Sequence, residues 1–265
     1  MNETRNDRRS TALVTGASSG IGAELAKVFA EHDHDLVLVA RSQAKLQELS
    51  GELTRVHGVQ ARVVAADLAD PQGPEQVAAQ WRDQGLEVDI LINNAGYGLL
   101  GPFAETDLGR ELGMIQLNVA ALTHLTKLFL PAMLARRAGR VVNVASTAAF
   151  VPGPFMAVYY ATKAYVLSFS QALANELEGT GVTVSVLCPG PTRTAFSAIA
   201  KNENSRLFRT GGVMDAATVA RIGYEGLMSG KTIIVPGFKN RWLARSSALV
   251  PRSVSARVAR RLNEP

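Results

Sequence analysis

Seven short apolar runs rich in β-branched residues, at positions 12–14, 36–39, 62–64, 90–92, 140–144, 182–186 and 232–235, alternate with segments of helical patterning. A strand that is apolar along its whole length, rather than at every second position, has to be covered on both faces. Helical connections between consecutive strands make those strands parallel. The alternation therefore predicts an α/β fold: a doubly wound parallel sheet of about seven strands with helices on both faces. A chain of 265 residues fits one such domain, and no linker or repeat divides it. Residues 1–10 read as a flexible N-terminal segment, 11–237 as the domain and 238–265 as a basic, helical tail. Within the domain, residues 191–214 break the rhythm, and such a stretch is either an active-site lid or an ordinary surface excursion.

The first apolar run leads directly into Thr15-Gly16-Ala17-Ser18-Ser19-Gly20-Ile21-Gly22, after which a helical pattern begins. Strand, glycine turn and helix in that order are the arrangement of a Rossmann-type dinucleotide site. Glycines let the backbone approach a pyrophosphate, and the helix start presents free N–H groups and a positive dipole end. Gly16, Ser18, Ser19, Gly20, Ile21 and Gly22 are thus expected around a dinucleotide. At the end of the second run, where a carboxylate would bind the ribose 2′-hydroxyl of NAD, the chain has Arg41. A forked, permanent cation favours the 2′-phosphate of NADP, with NAD as the lesser alternative.

Tyr159 and Lys163 are four residues apart, a spacing that places both on one face of a helix, with Ser146 upstream. An ammonium near a phenol lowers the phenol's pKa and makes it a usable proton donor, and a hydroxyl beside it can hold a substrate oxygen where charge develops. Tyr160, three residues before Lys163, could meet it as well. Phe150, Val151, Phe155, Met156, Phe196, Ile199 and Leu207 suggest an apolar pocket and a hydrophobic carbonyl or alcohol substrate.

These motifs, in this order, resemble the classical short-chain dehydrogenases/reductases from residue 11 to about 237. The resemblance rests on the glycine turn, Asp67-Leu68, Asn93-Asn94-Ala95-Gly96, Asn118, Ser146, Tyr159-x-x-x-Lys163 and Pro189-Gly190. It implies an oxidoreductase that transfers a hydride between NADP(H) and a carbonyl or secondary alcohol. Tyr159 rather than Tyr160 is then the general acid/base, with Ser146 orienting the carbonyl. Lys163 modifies the phenol and binds the nicotinamide ribose, and Asn118 anchors a proton-relay water. Asp67 and Leu68 would bound the adenine pocket. Asn94, Ala95 and Gly96 would line the cofactor, and Pro189, Gly190 and Thr194 would flank the nicotinamide. Ser19 stands where many NADP-preferring relatives carry a base, so Arg41 is expected to supply the positive charge alone. Homo-oligomerisation is also implied, through helices beginning near Thr106 and Ala157. The competing reading is a non-catalytic NADP-binding sensor or scaffold that uses its basic tail on a partner or membrane.

Composition narrows the remaining classes. Cys188 is the sole cysteine, so no intrachain disulfide forms, and a reducing, cytoplasmic setting is expected. His32, His34, His57 and His124 have no ligand spacing, and no metal is expected. The N-terminus has no signal-peptide pattern, and charges, prolines and glycines interrupt the longer apolar stretches, so a soluble protein is expected. Net charge is +5, and the segment from Pro236 onward carries seven Lys or Arg against one acid, Glu264. No nucleic-acid module accompanies it. The tail is expected to pack on its own domain in preference to a peripheral contact with anionic lipid.

Overall fold

The computed structural model describes residues 8–82, 87–194, 196, 200, 212–247 and 250–264. Residues 1–7 of the N-terminal segment, most of the 191–214 stretch, and Ile199 and Leu207 lie outside the described residues. The strands are β1 (Thr11–Thr15), β2 (Asp35–Ala40), β3 (Ala61–Ala65), β4 (Ile90–Asn93), β5 (Gly139–Val144), β6 (Val182–Leu187), β7 (Thr192–Arg193), β8 (Met214–Asp215) and β9 (Ile233–Ile234). Seven of them form one parallel sheet in the order β3-β2-β1-β4-β5-β6-β9, and β7 pairs with β8 beside it. The expected doubly wound sheet is the observed fold.

Helices α1 (Gly20–Glu31), α2 (Gln43–His57), α3 (Gly73–Arg82), α4 (Leu108–Ile115), α5 (Leu122–Arg136), α6 (Ala157–Glu176), α7 (Ala216–Met228), α8 (Phe238–Ser246) and α9 (Arg252–Asn263) complete the chain. Alternating strand residues explain the continuous apolar runs. Ala12, Val14, Leu36 and Leu38 point into a core with Leu25, Phe29, Leu46 and Leu227, on the side of α1, α2 and α7. Leu13, Val37 and Val39 point into the opposite core with Leu91, Leu125, Val141 and Leu173, on the side of α5 and α6. His34 is a core residue whose ring packs edge-on against Phe29 and Tyr224.

A π-helical segment, Gln116–Ala121, joins α4 to α5, so residues Leu108–Arg136 form one continuous helix of 29 residues. By length and composition it could cross a membrane, which the sequence reading did not foresee because Pro131 and scattered charges interrupt it. In the fold its Ala121, Leu125 and Met133 side packs on Leu91 and Val141 of the sheet, the position of a core helix.

β1 pairs with β2 on one side and with β4 on the other. Strand order reverses there, which opens a crevice at the carboxyl ends of β1 and β4.

Candidate active site

The crevice is pinned by one hydroxyl. Thr15 Oγ1, at the end of β1, accepts the Asn94 and Ala95 N–H groups at 2.9 and 3.0 Å and donates to the Ile92 carbonyl at 3.2 Å. Asn94 Nδ2 returns a bond to the Thr15 carbonyl at 2.9 Å. The β1 and β4 loops are therefore held so close that the glycine turn has no room for side chains. A Cβ on Gly22 would lie 2.4 Å from both Asn94 Nδ2 and the Gly16 carbonyl oxygen, and Gly16 itself has φ +68°. Helix α1 starts immediately after. Its N-cap Ser19 makes no side-chain cap bond and its first turn holds no acid, so the first-turn N–H groups lack a side-chain acceptor of their own.

A cavity of about 1100 Å³ extends from this turn. Gly16, Ser18, Ser19, Gly20, Ile21, Arg41, Asp67, Leu68, Asn94, Ala95, Gly96, Ser146, Tyr159, Lys163, Pro189, Gly190 and Thr194 all line it. Of the catalytic and cofactor-binding residues expected from sequence, Gly22 and Asn118 are not on its wall. Thr194 packs against Gly20, where an added Cβ would meet it at 3.1 Å. Asp67 Oδ1 accepts the Ala69 N–H at 2.9 Å and shapes the loop after β3.

Sequence reading left Arg41 as a lone cation, and the structure adds another. Lys45, on the first turns of α2, lines the same cavity beside Arg41 and Ser42. Among the described residues neither cation is ion-paired, and Asp67 is the only acid on the cavity wall. The four-residue spacing of Arg41 and Lys45 was the available signal.

Ser146 follows β5 and caps the short 3₁₀ turn Thr147–Phe150, its Oγ accepting the Ala148 N–H at 3.1 Å. Its hydroxyl donates to the Pro189 carbonyl at 3.4 Å and shares the cavity wall with the Tyr159 phenol, which lies on α6 with 9% of its surface exposed. Lys163, one turn on, is 6% exposed. Its Nζ lies 5.8 Å from the Tyr159 ring centroid and donates to the Val144 carbonyl at 2.8 Å. The expectation that Lys163 lowers the phenol's pKa is not met by the protein's own groups. Burial raises the Tyr159 pKa well above its ordinary 10, and the nearby Ser146 hydroxyl only partly offsets this. The same burial lowers Lys163 to about 8 and raises the thiol of neighbouring Cys188 to about 12. Burial is the largest cause of all three shifts.

Asn118 is buried inside the π-helical segment, an irregularity often found at functional sites. Its Nδ2 donates to the Tyr97 carbonyl at 3.0 Å and to Thr162 Oγ1 at 3.1 Å, while its Oδ1 accepts the Tyr97 N–H at 3.1 Å. The side chain thus fastens the loop after β4 to α6 next to Lys163.

The apolar end of the cavity departs from the sequence reading. Val151, Met156 and Phe196 line it. Phe150 instead packs with Leu122, Ala145 and Val166, and Phe155 lies beneath the Arg260 guanidinium, 5.1 Å from ring centroid to Cζ. The missing boundary comes from the tail, where Leu262 lines the cavity and the part-exposed Trp242, Leu243, Val250 and Val258 form its rim. Tyr160 also lines it, and its hydroxyl donates to Asn263 Oδ1 at 3.3 Å. The signal was present as the four-residue spacing of Val254, Val258 and Leu262, obscured by the arginines between them.

The chain is similar to proteins of known kind over most of its length. The sequence profile of the family described as short chain dehydrogenase matches residues 10–205. A very-long-chain 3-oxoacyl-CoA reductase of Pyrenophora tritici-repentis is 36% identical over 227 residues, 84% of this chain and 66% of that protein. The chain thus spans slightly less than two thirds of that relative's length. A short-chain dehydrogenase of Sphingobium yanoikuyae, solved in complex with NADPH, superposes with a TM-score of 0.82 at 35% identity, covering 91% of this chain and 93% of that one. The bulky-bulky ketone specific alcohol dehydrogenase of Comamonas testosteroni gives 0.78 at 32% identity, with 91% and 92% covered. Sequence profile, strand order and superposition agree, and the protein belongs to the short chain dehydrogenase family.

Proposed function

We propose that the protein is an NADP(H)-dependent oxidoreductase that interconverts a carbonyl and an alcohol on a hydrophobic substrate, with Tyr159 as general acid/base. The observation that carries this reading is the placement of Ser146, Tyr159 and Lys163 together on the wall of the cavity that also contains the glycine turn, with the Lys163 ammonium held 5.8 Å from the centre of the Tyr159 ring.

The residues present fit a dinucleotide. The glycine turn leaves space that any Cβ would fill, and the uncapped start of α1 would hold a pyrophosphate. Arg41 and Lys45 would hold a 2′-phosphate, and the absence of an acid beside them on the cavity wall, among the described residues, favours NADP over NAD. Asp67 and Leu68 would bound the adenine, with Asn94, Ala95, Gly96, Pro189, Gly190 and Thr194 along the remainder. The reduced nicotinamide supplies a hydride when bound.

The chain's own groups manage the proton. Ser146 holds the substrate oxygen, and Tyr159, kept protonated at neutral pH by burial, donates to that oxygen as negative charge develops on it. The phenolate left behind gains from the Lys163 charge and the Ser146 hydroxyl. Asn118 acts as a positioning residue for Tyr97 and Thr162. Val151, Met156 and Phe196, with the tail residues, exclude water and suit a bulky apolar substrate. The bulky ketone named for the Comamonas relative and the NADPH of the Sphingobium complex support the same reading.

A homo-oligomer and a cytoplasmic setting are part of the proposal. The exposed stripe of Leu108, Leu112 and Ile115 on α4 supports the first, and the single buried cysteine is in keeping with the second. A panel of carbonyls and alcohols run with NADPH and with NADH, read by nicotinamide absorbance, tests the reading. The expected result is turnover of bulky apolar ketones with NADPH. Turnover confined to small charged carbonyls, or tight NADPH binding with no carbonyl reduced, would overturn it.

A further inference from the structure

The outer faces of α8 and α9 combine exposed apolar side chains with cations that have no carboxylate partner among the described residues. Phe238 and Trp242, one turn apart on α8, are 77% and 65% exposed, and Val254 and Val258 on α9 are 40% and 52% exposed. At about 100° per residue, the partly buried Asn240, Ala244 and Ser247 share the inner side of the α8 segment. Phe238 and Trp242 fall on the opposite side, flanked by Arg241 and Arg245 along one edge and Lys239 along the other. α9 repeats the pattern. Ala259 and Asn263 are buried, while Val254, Arg257 and Arg261 point outward.

Among the described residues, Lys239, Arg241, Arg245, Arg252, Arg257 and Arg261 have no carboxylate partner, and Arg260 takes the tail's one acid, Glu264. The tail packs on its domain through one face only, so internal packing accounts for the inner residues and leaves the outer ones unexplained. Trp242, Leu243, Val250 and Val258 also form the rim of the cavity that holds Tyr159.

We propose that the outer faces of α8 and α9 dock on an anionic lipid bilayer, with the Phe238–Trp242 ridge in the interfacial region and the flanking cations on the headgroups. An aromatic and aliphatic centre edged by Lys and Arg is the layout of a helix lying in a membrane interface. An acidic protein would satisfy the cations but not the aromatic ridge. A second copy using the same face would set cations against cations, because an isologous contact meets itself. Docking in this orientation turns the cavity rim to the membrane, so an apolar substrate passes from lipid to the site without crossing water. Docking itself does not depend on turnover, and the lipid route for the substrate rests on the proposed oxidoreductase function.

The protein carries its own reporter. Of its two tryptophans, Trp81 is 4% exposed and Trp242 is 65% exposed, so a change in emission on adding vesicles reads Trp242. The full-length protein is mixed with phosphatidylcholine vesicles, with or without roughly one-third phosphatidylglycerol. The expected result is co-sedimentation and a blue shift with the anionic vesicles only, both weakened by high salt. Each cation near such a surface contributes about fivefold to partitioning, so the Arg241→Glu/Arg245→Glu variant should lose about 25-fold or more. Phe238→Ser should abolish most of the shift. If the charge-reversed variant does not fold, the salt and lipid dependence of the parent protein decides. Equal sedimentation with both vesicle types, or no blue shift, would overturn the proposal. So would salt-sensitive binding to an acidic protein without binding to vesicles, or an oligomer dissociated by Phe238→Ser in a protein that ignores vesicles.

Discussion

Lys163 donates its ammonium to the Val144 carbonyl at 2.8 Å, which fixes a buried positive charge at the end of β5, one helical turn from Tyr159. The contact gives the charge a position but not enough solvation, and its pKa falls from 10.5 to about 8.

This predicts an alkaline limb. As pH rises through about 8, Lys163 loses its proton, the phenolate loses its stabilising charge, and kcat/KM for carbonyl reduction falls. Stability moves the other way. The unfolded chain keeps the Lys163 proton longer than the folded one, so unfolding free energy rises between about pH 8 and 9. From about pH 9 Cys188, 9.0 when unfolded and about 12 when folded, cancels this gain, and stability falls only above about 10.5, where Lys163 is neutral in both states. A pH–rate profile read alongside thermal unfolding separates the two, and a profile flat to about pH 9.5 would remove Lys163 from the account.

Arg41→Asp should exchange cofactors. Loss of a charge-assisted contact to the 2′-phosphate, with a carboxylate introduced for a ribose hydroxyl, is expected to raise KM for NADPH by roughly 10- to 100-fold and improve NADH. Lys45→Ala should move KM in the same direction by less, because a lysine offers one point charge rather than a fork. Steady-state kinetics with both nucleotides checks the pair.

Gly22→Ala should destabilise by about 1–3 kcal/mol and abolish nucleotide binding, since its Cβ would lie 2.4 Å from Asn94 Nδ2 and from the Gly16 carbonyl oxygen. Gly51→Ala, in the middle of α2 with nothing within 4 Å of the new Cβ, should instead stabilise by about 0.5–1 kcal/mol. Denaturant unfolding and nucleotide titration of the two variants test whether crowding at the turn, rather than glycine content, matters.

Asn263→Leu should loosen the tail. Asn263 Nδ2 donates to the Pro154 carbonyl at 2.9 Å while its Oδ1 accepts from Tyr160, and removing both bonds from a 1% exposed site costs about 1–3 kcal/mol. The expected outcome is faster proteolysis within α8 and α9 and a higher KM for a bulky ketone, with KM for NADPH little changed. Limited proteolysis and a KM comparison would register it.

What could be read from the sequence was what is local. The glycine turn and the Tyr159–Lys163 spacing are each written within eight residues, and strand periodicity ordered them along one sheet edge. Lys45 was missed because its place on the cavity depends on α2 starting at Gln43, a boundary that periodicity locates only loosely. The tail's part in the pocket was missed for a stronger reason. Tyr160 and Asn263 are 103 residues apart, and no local pattern reports a contact at that distance. Phe155 was placed in the pocket by its apolar character, yet its positive φ of 66° accompanies a ring stacked beneath Arg260. The expected lowering of the Tyr159 pKa failed because spacing reveals which charges are near but not how deeply both are buried.

The most direct test of the account is Tyr159→Phe, assayed for NADPH-dependent reduction of the best ketone from the panel and for NADPH binding by titration. The prediction is a loss of turnover of about 100-fold or more with nucleotide binding retained. Turnover within about twofold of the parent protein, with binding retained, would contradict it.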